Sequence, residues 1–263
     1  MKTILLSILS LGVLGGVFGA LLAFASKIFH VEVDPRQEAV RNCLAGANCG
    51  GCGFPGCDGY AKAVAAGEAP TNKCVPGGEE TAKKLAEIMG VEESAAEAKV
   101  AFVRCSGGEE NAEKRFNYNG PEDCRAAMLF GGKSNKMCTF ACIGLGNCTR
   151  ACKFDAIHIE NGVAVVNRKR CVGCGSCAEA CPKSIIELIP KAQKVMPACS
   201  SKAKGPIVIK ACKVGCIGCM KCQRECTSDA IHVVDNLAVI DYSKCTGCGH
   251  CAEVCIRKII KVL

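Results

Sequence analysis

Four of the twelve residues in CVGCGSCAEACP, Cys171 to Pro182, are cysteine, and the chain of 263 residues holds 25 in all. Thiols this dense can pair as disulfides, bind zinc as thiolates, or hold iron–sulfur clusters. An odd count and repeated C-x2-C-x2-C spacing argue against disulfides, because close neighbours in such runs cannot all reach S–S geometry. Zinc and iron–sulfur remain, and the arrangement of the runs decides between them.

The first set lies in GANCGGCGFPGCDGYAKAVAAGEAPTNKC, where Cys49, Cys52, Cys57 and Cys74 are spaced C-x2-C-x4-C-x16-C. Three of them sit in a Gly/Pro-rich loop whose backbone can wrap tightly around a metal centre. The fourth follows an Ala-rich stretch, Asp58 to Ala66, that reads as helix. Four-cysteine zinc sites use similar spacing, so this set alone fits either metal. Cys43, six residues earlier, reads as an ordinary buried thiol or an alternative ligand. EETAKKLAEIMGVEESAAEAK then predicts a polar helix and linker, with apolar positions at Leu85, Ile88 and Met89.

The strongest signal is an internal repeat. CTRACKFDAIHIENGVAVVNRKRCVGCGSCAEACPKSII begins at Cys148, and CQRECTSDAIHVVDNLAVIDYSKCTGCGHCAEVCIRKII begins at Cys222. They align without a gap at an offset of 74 residues. Cys148, Cys152, Cys171, Cys174, Cys177 and Cys181 thereby match Cys222, Cys226, Cys245, Cys248, Cys251 and Cys255. Each copy joins two cysteine runs through a short apolar segment, AIHIENGVAVV or AIHVVDNLAVI. Alternating β-branched residues around Asn-Gly or Asp-Asn predict strand, turn, strand. Four C-x3-C closures at repeat-consistent positions are hard to obtain for zinc.

This pattern resembles the bacterial two-cluster ferredoxin, in which the last cysteine of each run reaches the other run's cluster. The resemblance implies Cys216, Cys219, Cys222 and Cys255 as one ligand set, with Cys226, Cys245, Cys248 and Cys251 as the other. In the first copy it implies Cys152, Cys171, Cys174 and Cys177. Leu145 stands where Cys219 stands in the second copy, so the first copy lacks one ligand; Cys138 can substitute, closing a set with Cys142, Cys148 and Cys181. Only Cys181 is followed by the family's proline; Lys153, Thr227 and Ile256 stand at the other three positions.

These sets leave Cys43, Cys105, Cys124, Cys199 and Cys212. The expectation is that Cys105, Cys124, Cys199 and Cys212 hold a sixth cluster, built from segments on either side of the first unit. Unligated thiols or another kind of metal site are the alternatives. Nothing reads as catalytic. His158 and His232 occupy equivalent repeat positions in the strands, while His30 and His250 have no nucleophile to serve, and no G-x-G-x-x-G follows a strand.

The uncharged run from Thr3 to Ser26 is long enough to cross a bilayer as a tilted helix. A cleaved leader, with AFA at Ala23 to Ala25 as the cleavage site, is the rival reading. The length of the run favours a retained anchor, as does the oxidising space to which export would deliver the thiols. Lys27, His30, Arg36 and Arg41 follow the run and only Lys2 precedes it, so the larger part is expected in the cytoplasm. The formal charge of +8 invites a nucleic-acid reading. An oxidised four-iron cluster with its four thiolates carries about −2, however, so six would bring the total to about −4. The basic residues are scattered, without interleaved aromatics, and nucleic-acid binding is not expected.

An apolar anchor, the NCGGCGFPGC module and then ferredoxin units resemble, over essentially the whole chain, the B subunit of the Rnf complex. The second ferredoxin copy and the Cys105 to Cys124 region resemble its longer form. The fold class implied is α+β and loop-rich. It comprises an N-terminal transmembrane helix (1–30), a small helical Fe–S module (35–92), and two tandem two-cluster ferredoxin-like units (137–190 and 212–263). The linkers 99–136 and 191–211 contribute ligands. The resemblance implies an electron-relay subunit carrying [4Fe–4S] clusters; the complete sets account for five, and the count of remaining cysteines gives the expected sixth. Anchored by a single pass in the cytoplasmic membrane, it would take electrons from reduced ferredoxin and pass them to the membrane subunits and an NAD-site subunit of a complex coupled to Na+ or H+ transport. Lys210, Lys213, Lys221, Arg224, Lys244, Arg257 and Lys258 could attract an acidic ferredoxin. The rivals are an anchored polyferredoxin serving a hydrogenase or another membrane redox enzyme, and a zinc-stapled interaction protein.

Overall fold

The structure, a computed structural model, describes residues 2–28, 34–92, 97–129 and 134–262. Met1, Phe29 and His30 of the expected anchor lie outside them. The N-terminal run forms one helix, α1 (Lys2–Ile28), of 27 residues, about 40 Å long at 1.5 Å per residue. Leu11, Leu14, Val17, Phe18, Leu22 and Phe24 are exposed along it. Judged on the described residues, no helix is long and apolar enough to cross a membrane.

Three helices build the first module: α2 (Pro35–Cys43), α3 (Gly56–Ala65) and α4 (Gly78–Met89). Asp34 starts α2 by accepting a hydrogen bond from the Arg36 amide, and Pro35 occupies the first helical position, where a missing N–H costs nothing. Val40, Tyr60, Val64 and Leu85 form the core between the helices. The Tyr60 hydroxyl donates to the Pro70 carbonyl at 2.7 Å and accepts from the Lys73 amide at 3.1 Å. A buried phenol thereby fixes the loop that delivers Cys74.

The rest of the described chain repeats one element order twice. Unit one runs β1 (Lys99–Val103), α5 (Cys124–Leu129), α6 (Asn147–Arg150), β2 (Ile157–Glu160), β3 (Val163–Val166), α7 (Ser176–Ala180) and β4 (Ile186–Pro190). Unit two runs β5 (Val195–Pro197), α8 (Gly205–Ala211), α9 (Lys221–Arg224), β6 (Ile231–Val234), β7 (Leu237–Ile240), α10 (His250–Glu253) and β8 (Ile260–Val262). The segments AIHIENGVAVV and AIHVVDNLAVI become the hairpins β2–β3 and β6–β7, with Ile157 opposite Val166 and Ile231 opposite Ile240. Asn161 and Gly162 turn the first at positive φ, and Asp235 and Asn236 turn the second, the conformation that matches strand twist in a two-residue loop.

The stretches expected as linkers each supply an edge strand. β1 pairs antiparallel with β4, and β5 with β8. Each unit is therefore two separate two-stranded sheets with short helices between them. Their cores mix aliphatic side chains with thiols. Ile157, Val163 and Ile185 pack with Cys142, Cys148 and Cys177, and Ile231, Leu237 and Ile259 pack with Cys199, Cys216 and Cys222. The cysteines are core residues as well as candidate ligands.

Candidate functional site

Three of the expected sets gather as the ferredoxin resemblance implies. Cys216, Cys219, Cys222 and Cys255 line one cavity of unit two, and Cys251 has Cys245, Cys248 and Cys226 as its thiol neighbours. In unit one, Cys152, Cys171, Cys174 and Cys177 line a cavity together. In the helical module Cys52, Cys57 and Cys74 pack on the shared core, and Cys49 has Cys52 beside it. Cys43 packs on that core too, half-buried.

The remaining cysteines regroup. Cys124, not Cys138, joins Cys142, Cys148 and Cys181 around a cavity. Cys138 instead joins Cys105, Cys199 and Cys212 around another of about 300 Å³. The cause is local. Asp123 begins α5 by accepting from the Arg125 and Ala126 amides at 2.7 and 2.9 Å. Its other oxygen accepts from the Asn147 side-chain amide at 2.9 Å, and Asn147 Oδ1 accepts from the Cys124 amide at 2.8 Å. This clamp ties Cys124 to the start of α6, next to Cys148, so it fills the place left by Leu145.

The loops supply amide donors to sulfur. Ala156 N donates to Cys152 Sγ and Ala230 N to Cys226 Sγ, both at 3.4 Å and at equivalent repeat positions. Ala101 N donates to Cys171 Sγ at 3.4 Å and Gln193 Nε2 to Cys245 Sγ at 3.2 Å. Such bonds to sulfur tune a bound centre. The loop between Cys171 and Cys174 turns at Gly173, φ +75°, where a Cβ would stand 2.2 Å from the Lys99 carbonyl oxygen. Only glycine admits both that conformation and that approach.

The most deeply buried thiols resist ionisation. Burial, with neighbouring thiolates adding to it, pushes Cys148 and Cys177 up to about 12. Burial chiefly raises Cys142, Cys199 and Cys222 to about 11. At these buried positions a cationic core would take the place of the thiol protons. Among the described residues no group of three or more His, Cys, Asp and Glu side chains is placed to hold a single metal ion. The sets ring cavities instead, with soft sulfur donors, and this donor chemistry fits a polynuclear iron–sulfur core.

The sets also touch one another. The module meets unit one through the Lys153 ammonium, which donates to the Asn48 carbonyl at 2.7 Å, and the Ser176 hydroxyl, which donates to the Cys49 carbonyl at 3.4 Å. A Cβ at Gly51 would lie 2.9 Å from the Cys174 carbonyl oxygen and 3.0 Å from its Cα. Gly51→Val is therefore expected to push the module off unit one, at about 1–3 kcal/mol of overpacking. Limited proteolysis of the 91–98 connection checks it: cleavage should quicken severalfold, and unchanged cleavage would show that the contact bears no load.

Several basic residues of unit two are exposed, but Arg257 is not free to meet a partner. Its guanidinium donates to the Cys212 carbonyl at 2.6 Å and the Gly215 carbonyl at 3.3 Å. Cys219 and Cys248, one from each set of unit two, are exposed. His158 lies exposed beside Asp155, and His232 lies half-buried beside Asp229.

Residues 44–76 match the family described as putative Fe-S cluster, and residues 141–186 and 215–259 each match a 4Fe-4S dicluster domain family. The chain is 42% identical over 257 residues to the B subunit of the ion-translocating oxidoreductase complex of Methanosarcina acetivorans, covering 97% of each chain. It is 46% identical over 256 residues to the B subunit of the Na(+)-translocating ferredoxin:NAD(+) oxidoreductase complex of Acetobacterium woodii, covering 97% of this chain and 77% of that one. It is 41% identical over 267 residues to the proton-translocating counterpart of Clostridium ljungdahlii, covering 100% and 94%.

Proposed function

Because the chain belongs to the family of B subunits of ion-translocating ferredoxin:NAD+ oxidoreductase complexes, we propose that it takes electrons from reduced ferredoxin and relays them to its partner subunits. It is an electron-transfer subunit of an oxidoreductase complex, and its dicluster domains support the relay. The carrying observation is the crossed assembly of thiols. Cys181 of the second run stands with Cys142 and Cys148 of the first, while Cys152 of the first stands with Cys171, Cys174 and Cys177.

Five quartets hold [4Fe–4S] clusters in this reading: Cys49, Cys52, Cys57 and Cys74; Cys124, Cys142, Cys148 and Cys181; Cys152, Cys171, Cys174 and Cys177; Cys216, Cys219, Cys222 and Cys255; and Cys226, Cys245, Cys248 and Cys251. Bound clusters supply one-electron couples. The chain's own part is to hold them within its loops and to donate amide hydrogens to their sulfurs. Exposed Cys219 and Cys248, with Lys221, Arg224 and Lys244 nearby in sequence, support unit two as the face that receives an acidic ferredoxin. The uncharged run from Thr3 to Ser26 in the sequence and the excess of Lys and Arg after it support a single membrane span with the relay in the cytoplasm. NAD and ion sites belong to the partners.

The test is anaerobic purification of the tagged full chain from its own membranes. The expected product is brown, holds at least about 20 iron atoms per chain, and brings with it subunits that bind NAD. A colourless zinc protein overturns the redox reading. A brown protein that co-purifies with a hydrogenase keeps the relay and overturns its place in this complex.

A further inference from the structure

We propose that Cys105, Cys138, Cys199 and Cys212 hold a further [4Fe–4S] cluster at the junction of the two ferredoxin units, each unit giving half of the ligands. The inference rests on the relay reading above and adds a station to it. None of the four lies in the segments 44–76, 141–186 and 215–259 that match Fe–S families, and all four line the one cavity of about 300 Å³.

The site has an internal symmetry that the repeat offset alone hides. Val103 of β1 lies opposite Ile186, and Pro197 of β5 lies opposite Ile260. Ile186 and Ile260 are repeat equivalents, so Val103 and Pro197 are too. Cys105 and Cys199 each follow two residues later and are thus matching groups. Cys138 and Cys212 match directly, each four residues before the first cysteine of its unit's main run.

Hydrogen bonds repeat the correspondence. Cys142 N donates to Cys105 Sγ at 3.4 Å, and Cys216 N donates to Cys199 Sγ at 3.4 Å; Cys142 and Cys216 are equivalents. The Lys183 ammonium donates to the Thr139 carbonyl, and its equivalent Arg257 donates at 2.6 Å to the Cys212 carbonyl, one residue before Lys213, the equivalent of Thr139. One segment then ties the two arms together. Glu113 N donates to Ala211 O at 3.1 Å and Lys213 N to Asn111 O at 2.7 Å on one side, while Met137 N donates to Glu113 O at 2.8 Å on the other. Residues 111–113 thereby hold Cys138 and Cys212 on facing walls.

The walls suit an anionic occupant. Arg104 lines the cavity, and its buried Nε–H has no acceptor among the described residues. Through Cys105 the site touches the Cys142 set, and through Cys199 it touches the Cys216 set. That position joins the two units into one relay. The step is a single electron: the cluster on Cys216, Cys219, Cys222 and Cys255 is oxidised by one, the junction cluster is reduced by one, and no bond or proton moves.

The test compares full-length variants purified without oxygen. Cys105→Ser with Cys199→Ser should lower iron from about 24 to about 20 atoms per chain, leave the other EPR signals in place, and slow reduction of the N-terminal module by reduced ferredoxin. Cys43→Ser is the control and should keep all the iron. Should the double variant fail to fold, Cys138→Ser alone keeps three ligands and should show a three-iron signal, whereas Cys124→Ser should alter a different cluster. Unchanged iron in the folded double variant, or zinc or a disulfide found at these cysteines in the wild type, overturns the proposal while the five-cluster relay stands. A wild type with no iron fails at the relay itself.

Discussion

Stripped of iron and sulfide, residues 97–262 are expected to lose their tertiary structure altogether. Among the described residues the region's sheets are all two-stranded, and an isolated two-stranded sheet is marginal in water. Its helices run from 4 to 7 residues, well below the roughly 12–15 needed for a helix to persist alone. The hydrophobic cores close around cysteines: Cys142, Cys148 and Cys177 in one, Cys199, Cys216 and Cys222 in the other. Without a core to bind, those sulfurs face one another across cavities and fill no space. Cluster binding is then folding free energy, as for small metal-stapled domains. Hydrogen–deuterium exchange checks the outcome. Amides of β2–β3 and β6–β7 should be protected in the anaerobic holoprotein and exchange at nearly unfolded rates after oxidative stripping and chelation. Native-like protection in the stripped chain would show that the apolar residues suffice.

What the sequence made legible was local. Alternating residues around Asn161–Gly162 and Asp235–Asn236 predict hairpins because the turn and the two strands lie within a dozen residues, and the structure forms both. The runs Cys171–Cys177 and Cys245–Cys251 are likewise self-contained. The exchange of Cys124 and Cys138 was not legible, for two reasons. Cys124 reaches its set through the Asp123–Asn147 clamp, a pair of side chains 24 residues apart whose partnership leaves no periodic trace. Cys138 lies close to Cys142 in sequence, which makes it look like a substitute for the missing ligand, yet its match across the repeat, Cys212, belongs to the junction. The symmetry that explains this passes through β1 and β5, whose equivalence shows only once each is paired with its own unit's last strand.

The largest electrostatic effect is expected from Lys136→Met. Lys136 is 2% exposed, and its ammonium donates to the Gly107 and Gly162 carbonyls, both at 2.8 Å. Among the described residues no carboxylate forms an ion pair with it. A buried cation held by dipoles alone is costly unless something nearby carries negative charge. The residue precedes Cys138 by two, and Gly107 lines the same cavity as Cys105. The ammonium also stands close enough to the Cys142 thiol to draw its pKa down, against the larger upward push of burial. It therefore sits between two proposed centres, each more negative once reduced, and favours the reduced state of both. At an effective dielectric of about 20, a unit charge several ångströms away is worth about 2–3 kcal/mol, or on the order of 100 mV for a one-electron couple. Removing it makes reduction harder, so the potentials should fall by about that amount. A redox titration followed by EPR measures it: one or two signals should shift negative, and exposed Lys169→Met should shift none. Potentials unmoved in a variant with full iron content would mean that the charge has other work, and that the two carbonyls are its whole purpose.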